Sequence, residues 1–204
     1  MNRIEALYSF IDIEDRVVDV GCDQAKLSLL LASRNQSSIA SDISPKVIEK
    51  ARFSIDNPLI DLRVSDGLSN IREGEADTLV LAGMGTHTII EILSKTSLKF
   101  KKIITISNNY HDILRTEMNN LGYIVKEEQI IKENNKYYNL IVFIPGKTSY
   151  SESDLLLGLN HKDLSMYKEY LNHLLNKYES IKIDSKDKNV KIDKMIELIK
   201  NKLL

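Results

Sequence analysis

Short apolar runs alternate with helical stretches over the first two thirds of the chain. Five runs, several of them nearly continuous in Val, Ile and Leu, predict strands at residues 16–20, 37–41, 59–64, 78–82 and 102–106. Such runs are typical of parallel strands that are buried on both faces. The intervening stretches predict helices near residues 24–34, 45–55, 86–95 and 110–121. Strands that alternate with helices indicate an α/β protein with a doubly wound, mostly parallel sheet.

The end of this region has a different pattern. Two strand-like runs, at residues 123–131 and 137–144, flank a polar turn at residues 132–136. This arrangement predicts an antiparallel β-hairpin appended to the parallel sheet. Two helix ends are also marked, because Ser44 and Pro45 predict an N-cap followed by proline in the first turn, and Gly122 predicts a helix stop.

The last part of the chain is dominated by helical spacing. Its longest apolar seam, at spacings of three and four residues, is Leu164, Tyr167, Leu171, Leu174, Tyr178 and Ile181, and a shorter stripe is Ile192, Met195, Ile199 and Leu203. A charged stretch at residues 183–189 separates the two, so the pattern predicts an antiparallel helical hairpin or coiled coil. Because this seam buries apolar side chains by itself, we expect the hairpin to stand partly apart from the sheet. Turn residues near Gly146 divide the chain into a sheet domain, residues 1–146, and the helical hairpin, residues 147–204.

The charge balance is close to neutral. The 204 residues include 28 Lys and Arg and 29 Asp and Glu, for a formal net charge of −1. That total disfavours a strongly basic nucleic-acid-binding protein. The charge is unevenly distributed, since residues 1–146 hold 17 basic and 20 acidic residues whereas residues 147–204 hold 11 lysines and nine acids. The acidic excess therefore lies in the sheet domain, and the hairpin is net positive.

Membrane, secreted and metal-binding classes are disfavoured. The chain has no run of 18 apolar residues and no signal-peptide-like apolar stretch at its N-terminus. Cys22 is the sole cysteine, and the four histidines lack the spacing of metal ligands. We therefore expect a cytoplasmic protein with neither a membrane nor a metal as partner.

The first two loops after strands are candidates for cofactor binding, because ligands of doubly wound sheets bind at the carboxyl ends of the strands. Gly21 follows the first strand and lets the backbone approach a ligand, and the next helix start offers amide donors to a carboxylate. The pattern G-x-G-x-x-G is absent, which disfavours a nicotinamide dinucleotide. Asp42 follows the second strand, 21 residues after Gly21. An acid at this spacing accepts the ribose hydroxyls of an adenosine cofactor, or else it ends a strand and caps a helix.

The next three loops combine acids, glycines and an amide. Asp66 either accepts from an adenine amine, with Leu68 packing on the ring, or forms an ordinary Asp-Gly turn. Met84 lies between two glycines and either covers a methyl donor or packs at a helix entry. Asn108 can donate and accept at a base edge. Tyr110 either stacks on a base or is a structural residue.

The whole chain resembles a known enzyme family. The order of strands and helices, ending in a β-hairpin, resembles the class I methyltransferase architecture. Both parts of the chain resemble the bacterial tRNA (adenine-22-N1)-methyltransferase family, through residues 18–25, 66–68, 75–85, 121–124, 136–138, 150–152 and 156–158, with Asn108 and Arg115. Residues 75–85 are the most specific of these segments. The resemblance implies an S-adenosylmethionine-dependent enzyme that methylates N1 of an adenosine in the D-arm of tRNA.

The loop positions and the resemblance together imply a set of functional residues. The candidate cofactor-binding residues are Asp19, Gly21, Cys22, Asp23, Gln24, Asp42, Ile43, Asp66, Gly67, Leu68, Ala82, Gly83 and Met84. Asn108 is the candidate catalytic residue, since it would orient the base. The candidate substrate-binding residues are Met84, Tyr110 and Arg115.

The chain departs from the family's pattern at a few positions, which keep other functions open. The departures are Gln24, Thr86, the Ile106–Ser107 pair and Asn139. All but Asn139 lie on loops that we expect to face the cofactor or the target base. One alternative is a cofactor-binding protein without catalysis that acts as a partner or regulator, and another is a small-molecule methyltransferase.

The helical hairpin distinguishes these alternatives, because a tRNA enzyme needs an extended basic surface that holds phosphates. Its candidate lysines are Lys168, Lys177, Lys182, Lys186, Lys188, Lys191, Lys194, Lys200 and Lys202. These lysines either form such a surface or are the solvated outer face of two helices. The hairpin can also serve dimerisation, and we expect a monomer or a weak dimer.

Overall fold

One seven-stranded sheet organises the protein in the computed structural model, which describes residues 1–184 and 189–204. The strands are β1 (Val17–Val20), β2 (Ser38–Asp42), β3 (Ile60–Val64), β4 (Thr78–Met84), β5 (Lys102–Ser107), β6 (Tyr123–Glu133) and β7 (Lys136–Pro145). Their order across the sheet is β3-β2-β1-β4-β5-β7-β6. The first five strands are parallel, and β7 pairs antiparallel with both β5 and β6. The predicted α/β fold with a terminal β-hairpin is confirmed.

The helices include two that the sequence patterns did not predict. The helices are α1 (Arg3–Ser9), α2 (Lys26–Ala32), α3 (Pro45–Ser54), α4 (Thr86–Ser94), α5 (His111–Asn120), α6 (Glu152–Leu157), α7 (Leu164–Asp184) and α8 (Val190–Leu203). The short helices α1 and α6 are the additions. Both begin with a reciprocal capping box, in which Asn2 pairs with Glu5 and Ser151 pairs with Asp154. The connection from β3 to β4 contains no helix, and the sequence pattern predicted none between these two strands.

Alternate residues of the central strands pack on opposite faces of the sheet. Leu79 and Ile103 face one core together with Leu114 of α5. The next residues along β4 and β5, Val80 and Ile104, face a second core formed with α1 and α2. Both faces are therefore apolar, which explains the nearly continuous apolar runs in the sequence.

The strand order reverses direction at β1 and β4, which lie side by side in parallel register. The chain runs from β1 outward to β2 and β3, then returns to β4 and continues to β5 on the other side. This reversal opens a crevice at the carboxyl ends of β1 and β4, where ligands of open α/β sheets bind. The loops that follow the first five strands all meet at this edge.

The predicted helix ends are correct in position, but one of them is capped differently. Gly122 follows α5 with a φ of +87°, which is the left-handed conformation of a helix stop. Pro45 occupies the first turn of α3 and Ser44 is its N-cap residue, but the Ser44 side chain makes no capping hydrogen bond. Instead, the Ser44 backbone N–H donates to Oδ1 of Asp42 at 2.9 Å. Asp42 therefore orders the entry to this helix.

The two C-terminal helices form the predicted antiparallel pair. Ion pairs join their facing surfaces, with Lys182 to Asp193 at 2.5 Å and Lys200 to Glu179 at 2.9 Å. Residues 185–188 of the predicted linker, which include Lys186 and Lys188, lie outside the described residues.

The apolar seam of α7 is buried only in its central part. Tyr167 and Leu171 are buried, whereas Leu164 is 65% exposed and Ile181 is 39% exposed. The prediction that these two terminal residues belong to the buried seam is therefore wrong. Length explains the exposure of Leu164, because α8 has 14 residues and spans about 21 Å, so it ends well before the start of α7, which spans about 31 Å. On α8, Ile196 joins Ile199 as the buried residues.

The helical pair packs against the sheet rather than standing apart from it. Ile130 of β6 lies in one cluster with Leu157, Tyr167 and Ile199. The Tyr167 hydroxyl donates to the Leu157 carbonyl at 3.2 Å, which ties α7 to α6. The expected partial separation is therefore wrong, and the division into residues 1–146 and 147–204 stays a prediction.

A fully buried ion pair anchors the segment that leads into the helical pair. Arg115 of α5 donates to Glu128 of β6 through Nε at 2.7 Å and Nη2 at 2.6 Å, and both side chains are 0% exposed. Nη1 of Arg115 donates to the Leu155 carbonyl at 2.6 Å, and the Leu159 amide donates to the Glu128 carboxylate at 3.3 Å. The pair thus joins the sheet, α5 and the segment around α6.

Gly158 fits against this ion pair because it has no side chain. A Cβ there would lie 2.7 Å from Glu128 Oε2, 2.7 Å from His161 Nε2 and 2.9 Å from Arg115 Nη2, and its φ is +87°. We expect Gly158→Ala to lower the free energy of unfolding by roughly 3 kcal/mol or more, measured by urea titration.

The matched control for this substitution is Gly74→Ala. Gly74 has a similar φ of +81°, but a Cβ there meets nothing within 4 Å. It should cost only the backbone strain, about 1–2 kcal/mol. Equal losses for the two variants would show that the contact with the ion pair is unimportant.

Candidate functional site

Two cavities lie at the carboxyl edge of the sheet and share Gly21. The Asp42 cavity, of about 540 Å³, is lined by the loops after β2 and β3 and by α4. The Asp19 cavity, of about 760 Å³, is lined by the end of β1, the start of α2, the end of β4 and the N-terminal helix α1. The predicted cofactor residues in the Asp42 cavity are Gly21, Asp42, Ile43, Asp66, Gly67, Leu68 and Met84. Those in the Asp19 cavity are Asp19, Gly21, Cys22, Asp23, Gln24, Ala82 and Gly83.

Gly21 occupies the point where the two cavities meet. Its φ is +78°, and a Cβ at this position would lie 3.1 Å from Cε of Met84. A side chain there would therefore crowd Met84, which lines the Asp42 cavity. The amides of Gly21 and Cys22 both donate to the Ser41 carbonyl, at 2.8 and 3.0 Å, so these two amides are already bonded within the protein.

Asp42 and Asp66 present carboxylates to the same cavity. Oδ1 of Asp42 accepts from the Ser44 amide, so its orientation is fixed while Oδ2 is left for a ligand. The Asp66 side chain is exposed, and it lies in the turn that starts with Asp66 and Gly67. That turn is held by Ser65, whose hydroxyl donates to the Gly67 carbonyl at 2.9 Å and accepts from the Asn70 amide at 3.1 Å. Both acids are thus held by rigid backbone.

Asp19 is a buried carboxylate beside the second cavity. It is 7% exposed, and no hydrogen bond or ion pair joins it to a described residue. Burial, and to a lesser extent the nearby Asp42, raises its pKa to about 7. A buried acid of this kind is stabilised in its charged form by a cationic ligand group.

Cys22 lies on the same loop as a neutral thiol. Burial raises its pKa to about 12, with Asp19 as the next cause. Only the thiolate is a good nucleophile or metal ligand, so Cys22 lines the cavity as a small apolar residue.

The loops after β4 and β5 are joined to each other. Nδ2 of Asn108 donates to the Gly83 carbonyl at 3.0 Å, and the Asn108 amide donates to the Met84 carbonyl at 3.1 Å. Thr86 is fully buried, and its hydroxyl donates to the Asn109 carbonyl. The expectation that Thr86 faces the cofactor or the base is therefore wrong, because this side chain fastens the two loops together. Asn108 itself is exposed, and its Oδ1 accepts from no described residue.

Tyr110 lies on the surface next to Asn108. Its φ of +51° is the left-handed conformation, which is uncommon for a residue with a large side chain. The ring is 54% exposed and lies 5.7 Å from the His87 ring. A ring in this position is available to a base, and its role in substrate binding stays a prediction.

A comparison with protein families assigns most of the chain to one of them. Residues 1–141 match a family model described as "Methyltransferase domain". The chain belongs to the methyltransferase domain family.

The similarity to known proteins extends over both parts of this methyltransferase. The tRNA (adenine(22)-N(1))-methyltransferase of Bacillus subtilis is 27% identical and covers 88% of this chain and 84% of its own. A putative tRNA (m1A22) methyltransferase of Streptococcus pneumoniae, Sp1610, matches the structure with a TM-score of 0.88 and 25% identity, over 100% of this chain and 99% of its own. TrmK of M. capricolum, solved with S-adenosyl-homocysteine, matches with a TM-score of 0.83 and 25% identity, over 100% and 97% of the two chains. These matches agree with the resemblance found in the sequence.

The structure removes one residue from the predicted site. The Arg115 guanidinium is enclosed by protein and paired with Glu128, so the predicted contact with substrate is wrong and its role is structural. In contrast, Lys26 and Arg3 line the Asp19 cavity and were not predicted. The Asn2–Glu5 capping box is the sequence signal for α1, which carries Arg3 to this cavity.

In residues 1–184 and 189–204, no group of three or more His, Cys, Asp and Glu side chains is arranged to hold a metal ion. Across the same residues, every helix is too short or too polar to cross a membrane. The groups that the protein offers to a bound ligand at the strand ends are therefore carboxylates, side-chain amides and backbone groups.

The raised pKa of Asp19 makes the pH dependence of cofactor binding testable. A cationic ligand prefers the ionised acid, so affinity for S-adenosylmethionine should rise between pH 6 and pH 8, by up to about tenfold per pH unit below the pKa. Calorimetric titration at several pH values measures this, and Asp19→Asn should abolish the rise and lower the affinity. If the cofactor affinity of Asp19→Asn rose with pH as it does in the wild type, the role of Asp19 would be contradicted.

Asp19→Asn should lower the affinity for the cofactor but raise the free energy of unfolding of the cofactor-free protein. Because the native pKa lies above the unfolded value of 3.8, the stability that Asp19 contributes is complete below about pH 4 and is lost as the pH rises through 7. Cofactor-free Asp19→Asn should therefore gain up to about 4 kcal/mol relative to the wild type between pH 4 and pH 8. Urea titration at the two pH values separates this effect from cofactor binding.

Proposed function

We propose that this methyltransferase transfers a methyl group from S-adenosylmethionine to N1 of an adenosine in tRNA, at position 22 in the D-arm, as the name of the Bacillus subtilis relative states for that protein. The observation that carries the proposal is the position of Asn108. Its side chain is anchored to the Gly83 carbonyl at the rim of the Asp19 cavity, so a group that recognises a base edge lies next to the cofactor residues. The likeness to tRNA methyltransferases over both parts of the chain supports the same substrate.

The residues at the strand ends fit S-adenosylmethionine. Asp42 would accept the ribose hydroxyls and Asp66 the adenine amine, with Leu68 against the ring. Asp19, buried and without a partner, suits the ammonium group, and Lys26 at the mouth of the same cavity suits the carboxylate. Gly21 lines both cavities and has no side chain, so a ligand would extend over it from one cavity to the other.

S-adenosylmethionine supplies a methyl group on a positively charged sulfur. Adenine N1 is a neutral nucleophile with a lone pair in the plane of the ring, so this chain needs no strong base. Asn108 keeps Oδ1 as an acceptor because Nδ2 already donates to Gly83. Oδ1 would accept from the exocyclic amine of adenine, which orients N1 and increases its electron density.

Alignment then provides most of the rate enhancement. Holding two reactants in the correct geometry lowers a barrier by up to about 7–11 kcal/mol. N1 is normally paired inside a stem, so the adenosine must leave its stack before it reaches Asn108. Met84 beside Gly21 and the exposed Tyr110 ring would line the pocket for the extruded base. With tRNA as the substrate, we place the protein in the cytoplasm, as a monomer or weak dimer.

A transfer assay tests this function against the alternatives. The protein is incubated with S-adenosylmethionine labelled in the methyl group and with unmodified tRNA transcripts, and the label in precipitated RNA is counted. We expect label in RNA with the wild type and a loss of at least 100-fold with Asn108→Ala, with unchanged cofactor affinity. Cofactor binding without transfer to any tRNA would favour a non-catalytic protein, and label in a small-molecule fraction would favour a small-molecule methyltransferase.

A further inference from the structure

A third cavity lies beside Asn108, away from the cofactor residues. We call it the aromatic cleft, and it is lined by the loop after β5, the turn between β6 and β7, and one face of α7. Its volume of about 510 Å³ lies within the range of about 300–1,000 Å³ that is usual for ligand sites. Its lining includes Asn108, Lys136, Tyr137, Tyr170, His173 and Lys177.

The cleft has a floor of aromatic rings. The Tyr137 ring lies 5.4 Å from the Tyr170 ring and 4.9 Å from the His173 ring. The Tyr137 hydroxyl donates to Glu169 at 2.9 Å, which fixes the orientation of that ring. His173 is exposed, so its ring has a face open to solvent. Aromatic rings held in this way are the platforms on which unpaired bases stack.

The charge of the cleft is positive. Lys136 and Lys177 line it, and no carboxylate of the described residues is part of the lining. The two cofactor cavities are different, since Asp42, Asp66 and Asp19 line them. A cleft with this composition suits a ligand that combines a negative group with a ring, as a nucleotide does.

Lys136 and Lys177 also differ from most lysines of the helical pair. Lys194 is paired with Glu152 at 2.6 Å and Lys202 with Asp154 at 3.3 Å. Neither Lys136 nor Lys177 is paired with a carboxylate within the described residues. An ammonium group without a protein partner is available to a phosphate.

Asn108 connects the cleft with the transfer site. It lines the aromatic cleft, while its side chain is bonded to Gly83, which lines the Asp19 cavity. A chain of nucleotides with one base at Asn108 would therefore have a neighbouring nucleotide at the mouth of the cleft.

We propose that the aromatic cleft binds a nucleotide adjacent to the target adenosine, with the base stacked on Tyr137 and His173 and the phosphate held by Lys136 and Lys177. This assignment rests on the proposed function, since it takes RNA as the substrate. It gives α7 a part in substrate recognition through the face that carries Tyr170, His173, Leu174 and Lys177. These residues recur at spacings of three and four, so they share one side of the helix.

The charge component is tested by binding of unmodified tRNA transcript at several salt concentrations. Lys136→Ala/Lys177→Ala should weaken binding about tenfold at 150 mM salt and reduce the dependence of log K on log salt by about one for each lost phosphate contact. The matched control is Lys168→Ala on the same helix. Lys168 lies nine residues before Lys177, about half a turn away on the helical wheel. The Lys168→Ala variant should therefore bind tRNA with an affinity within twofold of the wild type.

The stacking component is tested at His173. His173→Ala should weaken tRNA binding about tenfold, whereas His173→Phe retains a ring and should stay close to the wild type. All variants should bind S-adenosylhomocysteine with wild-type affinity, and the KM for tRNA should rise while kcat is preserved.

The outcomes separate the cleft from the proposed function. Wild-type tRNA affinity in the Lys136/Lys177 and His173→Ala variants would overturn the proposed role of the aromatic cleft but would not contradict the proposed function. A wild-type protein that binds tRNA without methylating it would overturn the proposed function, and weaker binding by the cleft variants would still support the cleft. A wild-type protein that does not bind tRNA would overturn both.

Discussion

Asp42→Ala is expected to lower the affinity for S-adenosylhomocysteine by about 100-fold or more. The carboxylate would accept both ribose hydroxyls, and each hydrogen bond to a charged group contributes about 1.5–3 kcal/mol. Oδ1 also accepts from the Ser44 amide, so the alanine variant loses the loop order as well. Asp42→Asn keeps an oxygen for Ser44 and should therefore show a smaller loss. Calorimetric titration measures both variants.

Asp61→Asn is the matched control for Asp42. Asp61 lies on the neighbouring strand β3, where it is exposed and pairs with Arg63 at 2.7 Å. Removal of this surface pair should cost less than about 1 kcal/mol and leave cofactor affinity unchanged. Wild-type affinity in Asp42→Ala, with a normal melting temperature, would refute the assignment of Asp42 to the ribose.

Arg115→Met and Glu128→Leu should each lower the free energy of unfolding by about 3–5 kcal/mol. Both side chains are 0% exposed, so either substitution leaves an uncompensated charge inside the protein. The loss should be visible by urea titration, and proteolysis should become faster near Leu155, whose carbonyl accepts from Arg115. The segment that leads into the helical pair is then no longer tied to the sheet.

The double variant Arg115→Met/Glu128→Leu distinguishes the cost of an unpaired buried charge from the cost of altered packing. It removes both charges at once and should recover at least half of the loss seen in the single variants. Full recovery is not expected, because the Leu155 carbonyl and the Leu159 amide lose their partners. Single variants within 1 kcal/mol of the wild type would contradict the structural role of Arg115.

The sheet and most of the candidate site follow from local patterns in the sequence. Apolar runs identify strands because the sheet is covered on both faces, as Val80 and Ile104 on one side and Leu79 and Ile103 on the other show. The cofactor loops follow from the strands, since every parallel strand delivers its next residues to the same edge. Asp42 and Asp66 therefore meet in one cavity although 24 residues separate them.

The errors come from contacts between residues that are distant in the sequence. Arg115 is an ordinary charged residue of a helix until Glu128 and the Leu155 carbonyl enclose it. Thr86 belongs to a glycine-rich loop, and its burial depends on Asn109, 23 residues away. The aromatic cleft likewise needs Lys136 from one turn and His173 from a helix. No local pattern reports such pairings.

The most direct test of the account is to map the methyl group on the RNA. An unmodified tRNA transcript is incubated with the protein and S-adenosylmethionine, then digested for mass spectrometry and copied by primer extension, which stops at a base methylated on N1. The account predicts 1-methyladenosine at position 22, the position in the name of the Bacillus subtilis relative, and no product on a transcript with guanosine there. Cofactor binding with no methylated nucleoside, or a methyl group on a different nucleoside, would contradict it.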